Sequence, residues 1–165
     1  MVIKYIYNFL FPDRVEPYYV RYSIWMILWR PIRKYLNVVI VPNIPFTSLR
    51  ILMYKLIGYK IGKNVFIGMK CYLDDLEPKN TVIENNDTIS YGVYFSAHGK
   101  NQGRTKIQIC SGSYIGMSAL IIARREGLVI GNNAIVGAGS VVIHDVLENS
   151  KVAGNPARVI IKAEN

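Results

Sequence analysis

Residues 130–143 read IGNNAIVGAGSVVI. Ile130, Val136 and Val142 stand six apart, and Gly131 and Gly137 follow the first two. A helix brings one face back every 3.6 residues, and a strand alternates every two. A period of six belongs to neither.

The same spacing extends backwards along the chain. Ile61, Ile67 and Leu73 form one set of three, Ile83, Ile89 and Phe95 a second, and Ile109, Ile115 and Ile121 a third. Three short strands of about six residues close a triangle, and triangles stack into a prism. Each aliphatic side chain points inward onto its counterpart one coil away, and burying it contributes roughly 1.5–3 kcal/mol. The small residue beside it is expected at the corner, where glycine tolerates unusual backbone angles. First corners fall at 61, 83, 109 and 130, so the steps are 22, 26 and 21 where a perfect coil needs 18. The extra residues fit after the third corner of each coil, near 77–80, 99–106 and 124–126. Insertions along one edge of a rigid scaffold are where function concentrates.

The 165 residues are 51% hydrophobic and 19% charged, the composition of a folded chain with one core and an appendage. Cys71 and Cys110 make neither a metal pattern nor a disulfide framework, as expected for a reducing compartment. The net charge of +9 is uneven: residues 1–60 carry nine bases and two acids, residues 61–165 eleven and nine. Thirteen of nineteen aromatics also lie in residues 1–60. The longest apolar run there, IWMILW at 24–29, is far short of the roughly twenty residues that cross a bilayer. The opening MVIKYIYNFLF has no small-residue cleavage site and is not read as a signal peptide.

Aligning the coils puts Asp74 beside Ser96, Asp75 beside Ala97 and Leu76 beside His98, with Glu77 one residue further. His98 therefore stands at the edge where the insertions emerge, just before GKNQGRTK at 99–106. Imidazole titrates near neutrality and can take a proton from an alcohol, and a neighbouring carboxylate can fix its tautomer. Position alone favours a histidine that merely satisfies a loop hydrogen bond. His144 is expected at the surface.

With IGNNAIVGAGSVVI, KVAGNPARVI and the SAHG segment taken together, the sequence resembles the hexapeptide-repeat acyltransferases over about residues 50–162. Within that family it looks most like the short O-acetyltransferases of bacterial surface-polysaccharide biosynthesis. The resemblance implies a mainly β fold, a left-handed parallel β-helix of four to five coils. It implies acetyl-CoA as co-substrate, no metal, and a homotrimer whose sites are shared between subunits. It makes His98 the general base and matches Asp74 or Asp75, with Glu77 nearby, to the acceptor contact. Met117 and Ala138 would line the acetyl-CoA groove, and Arg158 would reach phosphate. Met117 replaces the usual small residue, Glu84 and Cys110 replace corner glycines, and His144 replaces a common lysine.

The expected division is a basic, aromatic appendage over 1–46, a capping helix over 47–58 and the β-helix over 59–165. In TSLRILMYKLI at 47–57, Thr47 or Ser48 is the expected cap, Gly58 the stop, and Leu49, Leu52, Met53 and Leu56 the apolar face. Residues 18–36 are expected to be partly helical, broken or begun at Pro31, and Pro42 and Pro45 to force an extended connector. Tyr18, Tyr19, Tyr22, Trp25 and Trp29 interleave with Arg21, Arg30, Arg33 and Lys34, which suits a membrane surface or packing on the β-helix or another subunit. Nucleic acid is not expected, since no recognition motif is present. Pro156 is expected to stop the coil and let VIIK cap the open end.

The reading is an acetyl-CoA-dependent O-acetyltransferase on a sugar hydroxyl of a polysaccharide or lipid-linked glycan precursor, cytoplasmic or peripheral to the inner membrane face. The alternatives are N-acetylation of an amino or nucleotide sugar and a non-catalytic scaffold. Serine ranks low, because the first 60 residues do not match the long helical domain of serine acetyltransferases. A zinc hydratase on the same prism takes three histidines, and this chain has two.

Overall fold

We describe a computed structural model of the chain, covering residues 2–14, 23–99 and 105–161. The chain divides into two compact units, Met1–Leu36 and Asn37–Asn165. The first holds α1 (Val2–Leu10) and α2 (Ile24–Tyr35), and α2 runs through Pro31 without a break. The expected helical start at 18–22, with Tyr18, Tyr19, Arg21 and Tyr22, lies outside the described residues.

The second unit opens on a π-helical turn ending at Ile40 and a 3-10 turn at Val41–Asn43. The extended connector expected from Pro42 and Pro45 is thus replaced by helical turns as far as Asn43. Tertiary bonds explain this. Val41 and Pro42 are buried, Lys70 donates its backbone N–H to the Pro42 carbonyl at 2.8 Å, and the Asn37 amide donates to the Leu73 carbonyl at 2.7 Å.

Helix α3 (Thr47–Ile57) ends at Gly58, whose φ of 116° takes the left-handed conformation that stops a helix. Its start corrects the expectation: Phe46 is the cap and no side chain caps it. Its buried face is also different. Arg50 and Tyr54 turn inward, while Leu49, Leu52 and Leu56 are exposed. The reason is chemical, because the open end of a stack of coils presents carbonyls that need donors. Arg50 donates to the carbonyls of Ile44 and Ile67 and to the Thr47 hydroxyl, and Tyr54 donates to the Cys71 carbonyl at 3.1 Å.

The first coil carries β1 (Lys60–Ile61) and β2 (Phe66–Ile67), with a bridge at Tyr72 on its third side. The second carries β3 (Thr81–Ile83), β4 (Thr88–Ile89) and β5 (Tyr94–Ser96). The third carries β6 (Ile107–Ile109), β7 (Tyr114–Ile115) and β8 (Leu120–Ile122). The fourth carries β9 (Leu128–Ile130), β10 (Ile135–Val136) and β11 (Val141–Val142). Corresponding strands pair in parallel into three sheets, and the coils form the left-handed β-helix. The expected register holds: Ile61, Ile83, Ile109 and Ile130 stack on one face, Ile67, Ile89, Ile115 and Val136 on the second, and Phe95, Ile121 and Val142 on the third.

The glycines beside these residues do a different job from the one expected. The left-handed backbone sits three residues after the inward aliphatics of the first two faces, at Asn64, Asn86, Ser118, Asn133 and Gly139 among others. Gly116 and Gly131 are absent from that region. A Cβ on Gly116 would lie 2.5 Å from the Ala138 nitrogen, and one on Gly131 would lie 2.5 Å from the Glu148 nitrogen. Glycine here permits close approach of successive coils.

The last coil is short. Val146 bridges Ile130, and Val152 pairs with Val136, sixteen residues on in each case. The chain then reverses: β12 (Lys151–Gly154) pairs antiparallel with β13 (Ala157–Ile161) across the Asn155–Pro156 turn. Pro156 does end the coiling, but the tail extends a sheet instead of capping the end, and Val159 and Ile160 are exposed.

Candidate active site

Strand β5 ends at Ser96, and His98 follows it at the corner leading to the next coil. One coil below, the chain turns the same corner through Asp74. Tyr72 bridges Tyr94, so Leu73 lies under Phe95 and Asp74 falls beneath this turn. Its carboxylate reaches two residues further than simple register implies. Asp74 Oδ2 accepts the Ala97 N–H at 2.6 Å and meets His98 Nδ1 at 2.5 Å, and Oδ1 accepts the Leu76 N–H at 3.0 Å.

A carboxylate receiving backbone N–H bonds on both oxygens acts as an acceptor, so the proton in the His98 contact sits on Nδ1. That leaves Nε2 as the basic nitrogen. Asp74 is 2% exposed, while the His98 side chain is 42% exposed, so the carboxylate is buried and the ring is open. Thr105 closes the base of the following loop, its backbone and hydroxyl both donating to the Ala97 carbonyl at 2.9 and 3.1 Å. Residues 100–104 of the 99–106 insertion lie outside the described residues.

Two further residues brace this corner from inside. Tyr59 Oη donates to the carbonyls of Leu73 and Asp74 at 2.9 and 3.0 Å, and the Asn37 amide donates to Leu73. Both are buried. No local sequence pattern connects either residue to position 74.

The other acidic candidates are differently engaged. Asp75 is buried and accepts the Tyr72 hydroxyl at 2.6 Å. Burial, then the bond to Asp75, pushes the Tyr72 hydroxyl up from its ordinary value. The Tyr72 ring lies 5.6 Å from the Tyr94 ring. Glu77 pairs with Lys79 at 3.4 Å at the start of the first insertion, a 3-10 turn at Pro78–Asn80.

Met117 and Ala138 come together at another corner. Gly139 donates its N–H to the Met117 carbonyl at 2.7 Å, both side chains are exposed, and a Cβ on Gly139 would meet nothing within 4 Å. This corner precedes β8 and β11, whereas His98 follows β5 on the same sheet. The two groups therefore occupy opposite edges of one face, about seven residues apart in register, or roughly 20 Å. Within one chain they do not form a single site.

At the end of the stack, exposed Arg158 helps line a concavity of about 210 Å³ with Val142–Val146, Val152 and Val159. His144 lies there too, with its Nδ1 3.4 Å from a terminal nitrogen of Arg124. Arg124 belongs to the third insertion, which closes as a tight turn to Gly127. The repeat spacing places that insertion but carries no sign of its contact with His144. Among the described residues no group of three or more His, Cys, Asp or Glu side chains could hold a metal ion.

No family model matches the chain. It is 36% identical over 107 residues to a serine acetyltransferase of Bacillus licheniformis, covering 64% of this chain and 46% of that one. The chain thus spans about half the length of the curated relatives it matches. A hexapeptide-repeat-containing acetyltransferase from Vibrio cholerae superposes with a TM-score of 0.70 at 21% identity, over 87% of this chain and 95% of that one. The same protein in complex with acetyl coenzyme A gives 0.65, over 87% and 91%. A maltose O-acetyltransferase from Clostridium difficile gives 0.64 at 22% identity, over 87% and 90%. These likenesses show the fold.

Proposed function

We propose that this chain is an acetyl-CoA-dependent acyltransferase of the hexapeptide-repeat family, with His98 as its general base. The observation that carries the reading is the His98–Asp74 pair: an open imidazole held in one tautomer by a buried, fully engaged carboxylate. An unprotonated Nε2 facing outward can take the proton of an attacking hydroxyl. Asp74 stabilises the imidazolium that results. The names of the relatives and the acetyl-CoA complex of the structural neighbour support the same chemistry.

The residues present fit acetyl-CoA. Met117, Ala138 and the open Gly139 backbone offer an exposed ridge, and Arg158 offers a cation for phosphate. When bound, acetyl-CoA supplies an acetyl thioester. His98 takes the hydroxyl proton at Nε2, holds it through acyl transfer and releases it as the thiol departs. Because His98 and the Met117–Ala138 ridge lie on opposite edges of one face, a homotrimer that sets one chain's ridge against its neighbour's His98 completes the site. Asp75 and Glu77, beside the pair, are the proposed acceptor contacts.

The proposed acceptor is a sugar hydroxyl of a polysaccharide or lipid-linked glycan precursor, met in the cytoplasm at the inner membrane face. The maltose O-acetyltransferase, matched over nearly the full length of both chains, favours a sugar. A second reading takes serine, favoured by the Bacillus licheniformis relative. Thiol release from acetyl-CoA, measured with a panel of sugars, amino sugars and serine, tests both. Acetylation of a sugar by the wild type and its loss in His98→Ala are expected. Equal rates in the two proteins sink the mechanism, and turnover with serine alone sinks the sugar acceptor.

A further inference from the structure

In a helix of a water-soluble domain the apolar face is covered and the polar face is wet. The first unit leaves its apolar faces uncovered. On α2, Ile24, Trp25, Leu28, Trp29, Ile32 and Tyr35 are all exposed, with Trp25 at 82%. Their spacing of i, i+1, i+4, i+5, i+8 and i+11 places them within about 140° of one face at 3.6 residues per turn. Arg30, Arg33 and Lys34 fall outside that arc. On α1, Tyr5, Ile6, Phe9 and Leu10 form a similar arc, with Phe9 at 86% exposed and Lys4 and Asn8 on the other side.

The two helices have nine and twelve residues, or roughly 14 and 18 Å at 1.5 Å per residue. The hydrocarbon core of a bilayer is about 30 Å thick. No helix among the described residues is long and apolar enough to cross it. Residues 1–36 hold six bases and two acids. Aromatic and aliphatic side chains on one arc, with cations beside it, complement an anionic lipid surface: rings at headgroup depth, ammonium and guanidinium groups among phosphates.

We propose that α1 and α2 lie flat in the interface of an anionic membrane, embedding the Tyr5–Phe9 and Trp25–Trp29–Ile32 faces. This identifies the face and lipid class behind the membrane-side location given above. It does not depend on acyl transfer, because it stands on residues 1–36 alone.

Both tryptophans of the chain, Trp25 and Trp29, sit on the proposed face and report on it directly. The full-length protein is mixed with vesicles of phosphatidylcholine alone or with about one third phosphatidylglycerol, and sedimentation and tryptophan emission are read. Partitioning onto the anionic vesicles with a blue-shifted emission is expected, weakened by salt. Lys4→Gln and Lys34→Gln should each lower the partition constant about fivefold. Leu28→Glu with Ile32→Glu should lower it at least tenfold while both tryptophans remain. Circular dichroism confirms that the variants fold, and thiol release with soluble acceptors is read on the same proteins. Lipid binding without acyl transfer overturns the catalytic reading alone. Absence of partitioning, or equal partitioning onto neutral vesicles, overturns the lipid proposal. So does a blue shift that follows protein concentration without vesicles, which would assign the face to a second copy.

Discussion

Two carboxylates of the β-helix are removed from water and could hardly differ more. At the edge, Asp74 is 2% exposed and receives two backbone N–H groups and the His98 ring. In the interior, Asp87 is wholly buried in the column that also holds Ser113 and Ala134. There Oδ1 accepts the Ser113 N–H at 2.8 Å, while Oδ2 has no hydrogen-bond partner among the described residues. Burial pushes the Asp87 carboxyl up to about 7. Depth alone therefore says nothing about role. What each carboxylate touches, and not its depth, sets the two apart.

The largest test of this contrast removes the ring that only the edge carboxylate holds. His98→Ala should lower kcat by about a thousandfold while acetyl-CoA binding, followed by calorimetry, stays within about twofold. Asp74→Asn comes next. An amide keeps only one of the two oxygens: with that oxygen on the Leu76 N–H, its NH2 faces both the Ala97 N–H and His98 Nδ1 and favours the other tautomer. A fall of about a hundredfold in kcat, with KM for acetyl-CoA little changed, is expected in steady-state kinetics. An unchanged kcat would deny Asp74 its positioning role.

The interior carboxylate should show itself in stability instead. With a folded pKa of about 7 against an ordinary 3.8, Asp87 keeps its proton in the folded chain after the unfolded chain has released its own. Its contribution is therefore most favourable below pH 4 and is lost as the pH rises to 7, by up to about 4 kcal/mol. Asp87→Asn should flatten that part of the pH profile in urea unfolding and gain on the wild type as the pH rises. A profile unchanged by the substitution would mean that Asp87 is already ionised in the fold.

Smaller effects sharpen the same comparison. Tyr59→Phe removes the donor to the Leu73 and Asp74 carbonyls, costing about 1 kcal/mol by thermal unfolding and lowering kcat severalfold through the corner that carries Asp74. Leu56→Gln changes an exposed residue of α3 and should shift stability by less than about 0.5 kcal/mol. A larger loss would show that this helix face is covered in solution.

The register of the coils was legible because a period-six pattern is a strictly local record of which side chain faces inward. The steps of 22, 26 and 21 residues likewise placed the insertions at the corner where Pro78–Asn80 and the Arg124–Gly127 turn are found. His98 followed from that alignment. What the pattern missed was contact across coils. It read glycine as a tool for turning, when Gly116 and Gly131 serve close approach and asparagine or serine takes much of the turning. It assigned the leucine stripe of α3 to the interior, because hydrophobic spacing does not register that unpaired carbonyls at the end of a β-helix attract Arg50 and Tyr54. Nor did it find Asn37 or Tyr59, whose partners lie 36 and 14 residues away.

The amino-acid sequence by itself determined the repeat, its register and the edge on which a histidine falls, since each depends on spacing along the chain and on the burial of one residue in six. Only the tertiary structure decided which atoms meet at that edge. A side chain finds donors from a neighbouring coil more than twenty residues away, so the pairing of Asp74 with His98, and the isolation of Asp87, exist only once the coils are stacked.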